Sequence, residues 1–398
     1  MWTQHSTLLI FQPEENNYRQ HIKTIIDKKT KTKTISITAF DFDGTLVTQK
    51  SGKTYPVSFD DWKPLYDCVK DKFLNAYNNN IVILFTNQSG VERKDIDIDF
   101  LKKRFDNFFE YLGVSVPVYI STCKDKYRKP SPEMWSTALD YLGNILYPVL
   151  GKDGNIDEKE SVYIGDAAGR KVNWKPGKKK DFACSDRKFA YNCGIQFLTP
   201  EEYFLSENLS DDLWSYDTFN PFTYQKEDKE QLQLQLQQPD KQTVYMLIGP
   251  PGAGKSTFCT THLDDCIRIN MDTLKTKPKC MKLLKESLSG NKSIVIDNTN
   301  PTVISRKEYI DCTKKCNKDV RIVAIHINTP KELAQHFNCV REMLSNGQHK
   351  KVPDVVYNSY YKRFEPPTLQ EGFNDVVTLS QPIVFENDLH KSYFMRFY

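Results

Sequence analysis

Two aspartates stand two positions apart in Asp41-Phe42-Asp43-Gly44-Thr45. One carboxylate of such a pair can attack phosphorus and form an aspartyl-phosphate. Its neighbour can protonate the leaving oxygen and then activate water. Crowded carboxylates repel one another, so Mg²⁺ is the expected companion. An Asp-rich turn built around Gly44 is the plainer alternative. Later residues favour the chemistry. Thr86-Asn87-Gln88 follows an apolar run, and its hydroxyl and amides can hold phosphate oxygens. Lys129, in Arg128-Lys129-Pro130, can neutralise the nucleophile and the phosphate. Gly165-Asp166 brings a third acid for the metal.

Residues 170–180 carry six basic residues, no acid, and Trp174 in the middle. Basic groups attract a phosphate backbone, and an aromatic ring offers a stacking face. Arg170 and Trp174 are therefore candidate polynucleotide contacts. A solvated loop is the bland alternative, and the position directly after Asp166 argues against it.

The second half holds Gly249-Pro250-Pro251-Gly252-Ala253-Gly254-Lys255-Ser256-Thr257. This is a phosphate-binding loop, whose backbone amides wrap nucleotide phosphates. Residues 249 and 252–257 are the expected ATP ligands. Lys255 is expected on the β and γ phosphates, and Ser256 on Mg²⁺. Asp272 can take a proton from an acceptor hydroxyl, although a helix N-cap is also plausible there. Asp297-Asn298-Thr299-Asn300-Pro301 forms a second polar cluster, and Asp297 is assigned to the acceptor side. Arg306 and Arg341 are candidates for binding phosphates or the transferring group.

These residues need elements to position them. Short apolar runs occupy 35–40, 81–85, 161–164, 243–248, 266–269, 293–296 and 320–325. Such runs fit strands buried on both faces of a parallel sheet. Their alternation with helical stretches implies α/β architecture, in which ligands bind beyond the carboxyl ends of the strands. The run at 8–11 reads as the first strand. Residues 221–241, rich in Gln and charge, read as a linker. The expected domains are thus 1–220 and 242–398.

Composition sets broad limits. The length of 398 residues permits two or three domains. With 39% hydrophobic and 27% charged residues, the chain is globular rather than disordered. No apolar run approaches a membrane span. Met1-Trp2-Thr3-Gln4-His5 lacks a basic start followed by an apolar stretch, so no secretory signal is expected. Ten cysteines without a repeated CxxC pair read as reduced thiols rather than zinc ligands. The net charge of +4 permits an anionic partner without demanding one.

The first-half motifs match the haloacid dehalogenase phosphatase superfamily. All motifs together resemble the bifunctional polynucleotide kinase 3′-phosphatases, over nearly the whole chain. The resemblance rests on the segments already quoted and on Asn173-Trp174, Lys180-Asp181-Phe182, Thr199-Pro200-Glu201-Glu202, Arg363-Phe364-Glu365 and Glu371-Gly372-Phe373. It implies a Rossmann-like phosphatase joined to a P-loop kinase. Asp41 would be the nucleophile and Asp43 its acid/base partner. Asp41, Asp43 and Asp166 would serve the metal, with Asp181 a further acid near the site. Thr86, Asn87, Arg128 and Lys129 would hold the phosphate or the DNA end. Asp272 would be the kinase base and Arg341 a lid residue.

The resemblance further implies Mg²⁺ and ATP, and DNA ends that are single-stranded, nicked or gapped, with RNA as the alternative. It implies a monomer in the nucleus, with the cytoplasm as alternative. Ligase or repair-scaffold partners are expected, and no membrane. The lysines within 28–33 are a weak nuclear signal. Three departures stand out. Met271 and Cys339 occupy positions often held by Arg in the family, which predicts a weaker grip on the acceptor. About forty residues precede Asp41, too few for the forkhead-associated domain that animal relatives often carry, which puts recruitment by phosphorylated scaffolds in the family manner in doubt.

Overall fold

A computed structural model describes residues 1–28, 34–150, 155–209, 214–216, 218–223, 241–345, 348–380, 385 and 387–398. The chain divides into two compact units, Met1–Thr218 with Arg396–Tyr398, and Phe219–Met395. The last three residues therefore belong with the first unit, not with the second as the sequence suggests. Most of the expected linker and of the 28–33 lysine cluster lies outside the described residues.

The first unit is built on a seven-stranded sheet. Its spatial order is Trp2–His5, Leu8–Phe11, Val118–Ser121, Ile81–Asn87, Ile37–Phe40, Val162–Ile164, Gln196–Leu198. Five strands, from Val118–Ser121 onward, are parallel. The other two form a hairpin that adds antiparallel pairing at one edge. Leu8–Phe11 is thus the second strand and runs against its neighbour. The run at 35–40 is also split. Ser36 donates to Asn80 Oδ1 at 2.9 Å, while Thr34–Ile35 pairs with Asn155–Ile156 in a separate ribbon.

Central strands are apolar on both faces because both faces are covered. In Ile81–Asn87, Ile81, Ile83 and Phe85 enter one core. Val82 and Leu84 enter the other. The helix Ile98–Leu112 caps the second core with Leu101, Phe105, Phe108, Phe109 and Leu112. Asp97 starts it by accepting from the Phe100 amide at 2.7 Å, and Gly113 ends it in the left-handed conformation.

The second unit has a five-stranded parallel sheet. Its order is Ile267–Ile269, Ile294–Asp297, Thr243–Ile248, Arg321–Asn328, Asp375–Ser380. Val244, Met246 and Ile248 pack to one side. Tyr245 and Leu247 pack to the other. In both units the chemistry-bearing residues follow the carboxyl ends of these strands. No helix among the described residues is long and apolar enough to cross a membrane.

Candidate active sites

In the first unit, Asp41 lies one residue past its strand. Its amide donates to Ile164 O at 2.8 Å, which ties it to the strand leading into Asp166. Lys129 reaches in from the loop after Val118–Ser121. Its Nζ lies 2.7 Å from Asp41 Oδ1, 2.8 Å from Asp186 Oδ1, 2.9 Å from Phe85 O and 2.8 Å from the Tyr163 hydroxyl. Asn87 holds the Lys129 backbone from both sides, accepting from its amide at 3.0 Å and donating to its carbonyl at 3.2 Å. Asn87 therefore positions the lysine, where the sequence suggested a phosphate ligand.

Asp41, Asp166 and Asp186 bring carboxylate oxygens within 4.8 Å of one another. Three carboxylates at this separation suit a hard divalent cation. Burial, partly opposed by Lys129 and reinforced by Asp186 and Asp43, pushes the Asp41 pKa up to about 7. Burial, then Asp41 and Asp186, also raises Asp166 well above the usual carboxylate range. Burial works against the Lys129 ammonium, but Asp186 and Asp41 outweigh it and keep the lysine charged. The raised Asp41 and Asp166, and a single ammonium among three carboxylates, leave a deficit of positive charge that a metal would fill.

Asp186 enters from the helix Ser185–Cys193. It approaches so closely that a Cβ at Gly165 would fall 2.5 Å from its Cβ, Cγ and Oδ2. We expect Gly165→Ala to displace Asp186 and lower 3′-phosphate release about 100-fold, the scale of an ångström-sized misplacement. The kinase rate, measured in the same preparation, should not change.

The other assignments divide. Asp43 stands outside the three-carboxylate cluster: Arg104 holds its Oδ1 at 2.8 Å and Gln88 its Oδ2 at 2.7 Å. Both of its carboxylate oxygens are therefore held by neighbouring side chains. Thr86 is buried, and its hydroxyl accepts from Gln88 at 3.3 Å. Arg128 is half-buried and its Nη1 has no partner, as expected of a group waiting for an anion.

Arg170, Trp174 and Asp181 do not face a substrate. Arg170 is buried between Asp181 at 2.8 Å and Glu201 at 2.6 Å. Its guanidinium lies 3.9 Å from the centroid of the buried Trp174 ring. The three residues pin the basic loop from inside. The loop's exposed groups include Lys171, Val172, Lys178, Lys179, Lys180 and the neighbouring Phe182, whose ring is wholly exposed.

In the second unit, Gly254 caps the helix Lys255–His262 in the left-handed conformation. Gly252 is also left-handed, and a Cβ there would meet Ala334 O at 2.7 Å. The Ala253 methyl packs into the core, and Thr257 follows Ser256 in the first helical turn. Lys255 Nζ donates to Gly249 O at 3.0 Å and Pro250 O at 2.7 Å. Ser256 Oγ donates to Asp297 Oδ2 at 3.0 Å. The same oxygen accepts from Arg268 Nε at 2.9 Å and Asn270 Nδ2 at 3.3 Å. Asp297 is therefore joined both to the phosphate-binding loop through Ser256 and to the cap of the Asp272 helix through Asn270.

Burial lowers the Lys255 pKa to about 8, with Asp297 and Asp272 opposing and Arg341 adding to the fall. These groups are close enough to Lys255 to be felt electrostatically. Asp272 is exposed in a short helix whose N-cap is Asn270, and Arg341 is exposed near the end of Lys331–Leu344. Arg306 has a different task. It is fully buried, with both Glu371 oxygens at 2.7 Å, and it donates to Asn300 O and Glu365 O. It is a structural tie beneath the polar cluster. Met271 is exposed, whereas Cys339 is buried with Lys351 hydrogen-bonded to its thiol.

Residues 36–204 match the polynucleotide kinase 3 phosphatase family, and residues 244–367 match an AAA domain. A bifunctional polynucleotide phosphatase/kinase of Schizosaccharomyces pombe is 36% identical over 354 residues, spanning 88% of this chain and 79% of that protein. The chain belongs to the bifunctional polynucleotide phosphatase/kinase family. An Acanthamoeba polyphaga mimivirus relative is 35% identical over 386 residues, spanning 90% of this chain and 88% of its own. The polynucleotide 3′-phosphatase ZDP of Arabidopsis thaliana is 31% identical over 189 residues, 44% of this chain and 24% of that protein.

As a phosphatase/kinase, the chain has its phosphatase around Asp41 and its kinase around Lys255. Sequence reasoning missed Arg104, Asp186 and Arg268 in these sites. Arg104 left a signal, since it interrupts the apolar stripe of Ile98–Leu112. Asp186 and Arg268 left none, because only the fold brings them to their partners.

Proposed function

We propose that this phosphatase/kinase heals DNA ends, using Mg²⁺ in both sites and ATP in the second. The observation that carries the phosphatase reading is Asp41, buried and paired with Lys129, within a three-carboxylate cluster. Asp41 attacks the terminal phosphorus, and the bond from phosphorus to the 3′ oxygen breaks. Asp43, fixed by Arg104 and Gln88, gives the leaving oxygen its proton. Asp43 then takes a proton from water, which hydrolyses the aspartyl-phosphate. Arg128 and Lys129 hold phosphate charge. Mg²⁺ at Asp41, Asp166 and Asp186 would neutralise the acids and the incoming phosphate.

In the kinase, Lys255 and Arg341 would face the ATP phosphates, and Ser256 with Asp297 would support the metal. Asp272 accepts the proton of a 5′-hydroxyl. A polynucleotide rather than a small substrate is supported by the exposed Phe182 beside Lys178, Lys179 and Lys180. Lysines track a phosphate backbone, and an open aromatic face stacks bases.

The deciding experiment uses a nicked duplex bearing a 3′-phosphate and a 5′-hydroxyl, in matched DNA and RNA versions. Both ends should be converted faster in DNA, and equal or faster conversion of RNA would overturn the DNA assignment. In the phosphatase assay, Phe182→Ala should raise KM roughly fivefold, the low end of one lost base stack.

A further inference from the structure

The chain returns to the phosphatase unit for Arg396–Tyr398, and these residues grip two segments that carry catalytic groups. Phe397 donates its amide to Asn192 Oδ1 at 2.8 Å and accepts from Asn192 Nδ2 at 2.9 Å. The second hydrogen of that Nδ2 is available to Pro130 O at 2.8 Å. Arg396 Nη1 lies 2.9 Å from Glu133 Oε1, and Glu133 Oε2 accepts from Ser131. Lys188 Nζ donates to Tyr398 O at 2.9 Å. The Phe397 ring is buried, stacked 4.9 Å from Tyr216 and tilted 5.8 Å from Tyr191.

These bonds fall on two stretches of chain. Pro130, Ser131 and Glu133 directly follow Lys129. Lys188, Tyr191 and Asn192 share the helix Ser185–Cys193 with Asp186. Lys129 and Asp186 meet at 2.8 Å in the active site. We infer that Arg396 and Phe397 are positioning residues of the phosphatase, a strap that fixes the Lys129 loop against the Asp186 helix. The strap touches no reacting atom. It acts by limiting the movement of the ammonium relative to the nucleophile, where small displacements are costly. The inference rests on the phosphatase reading above.

The test uses the full chain with Phe397→Ala, Arg396→Glu and Arg396→Lys. Steady-state 3′-phosphate release, 5′-phosphorylation and thermal unfolding are measured for each. Phe397→Ala and Arg396→Glu should lower phosphatase kcat roughly ten- to a hundredfold, with KM and the kinase rate unchanged. Arg396→Lys, which keeps the charge opposite Glu133, should retain most of the wild-type kcat. Unchanged kcat in both damaging variants, with an active wild type, would overturn the strap. So would a raised KM at constant kcat, or parallel loss of both activities with a lowered unfolding temperature. An inactive wild type would instead overturn the phosphatase reading itself.

Discussion

Asp41→Asn should abolish 3′-phosphatase activity, by roughly 10⁴-fold or more, and leave the kinase at its wild-type rate. The amide is nearly isosteric and still accepts a hydrogen bond from Lys129, so the fold of the site is preserved. It lacks the anionic oxygen that forms the bond to phosphorus. The buried surroundings sharpen the expectation. Burial raises the Asp41 pKa to about 7, although Lys129 opposes it. Only the ionised carboxylate attacks, so at limiting Mg²⁺ the wild-type rate should rise as pH passes through about 7. Saturating Mg²⁺ stabilises the anion and should move that rise to lower pH. Phosphate release and 5′-labelling followed on one doubly modified substrate check both statements. A parallel fall in kinase activity would show that the sites are not independent.

Lys255→Met gives the complementary result: loss of 5′-phosphorylation by about 10³-fold or more, with intact 3′-phosphatase activity. The magnitude is on the scale of removing a positive charge from a transferring phosphoryl group. Methionine fills similar space, so a folding defect is not expected. Lys255 is buried with a pKa lowered to about 8. Nucleotide phosphates would restore its preference for the charged form, so binding and protonation reinforce each other. The check is transfer of labelled γ-phosphate from ATP to an oligonucleotide with a 5′-hydroxyl. Residual transfer near the wild-type rate would remove Lys255 from the mechanism.

The sequence made the local parts of both sites legible. Strand-ending Asp41 and Asp166 and the loop ending in Lys255-Ser256 each carry their meaning in a few adjacent residues. Apolar runs also located the central strands, because burial on both faces leaves a continuous signal. Long-range pairing was not legible. The charged run at 170–180 was visible, but its inward and outward groups were not. Arg170 turns toward Asp181 and Glu201, whereas Phe182 turns out. Arg306 fails for the same reason, since its partner Glu371 is distant in sequence. Nor does an amide at Asn87 reveal that its two polar atoms clasp the backbone of Lys129.

The surroundings of Lys129 have a consequence that is one of stoichiometry. An ammonium carries three hydrogens and a phenol one. Around Lys129 and Tyr163 stand four acceptors: Asp41 Oδ1, Asp186 Oδ1, Phe85 O and the Tyr163 oxygen. Each of the four hydrogens has a resident acceptor, so none is left over for an arriving phosphate. A phosphate oxygen can engage Lys129 only if one resident acceptor gives up its share. Substrate capture at this lysine is therefore an exchange of partners rather than an addition, and the cheapest partner to release is the one that the phosphate or the metal can itself replace.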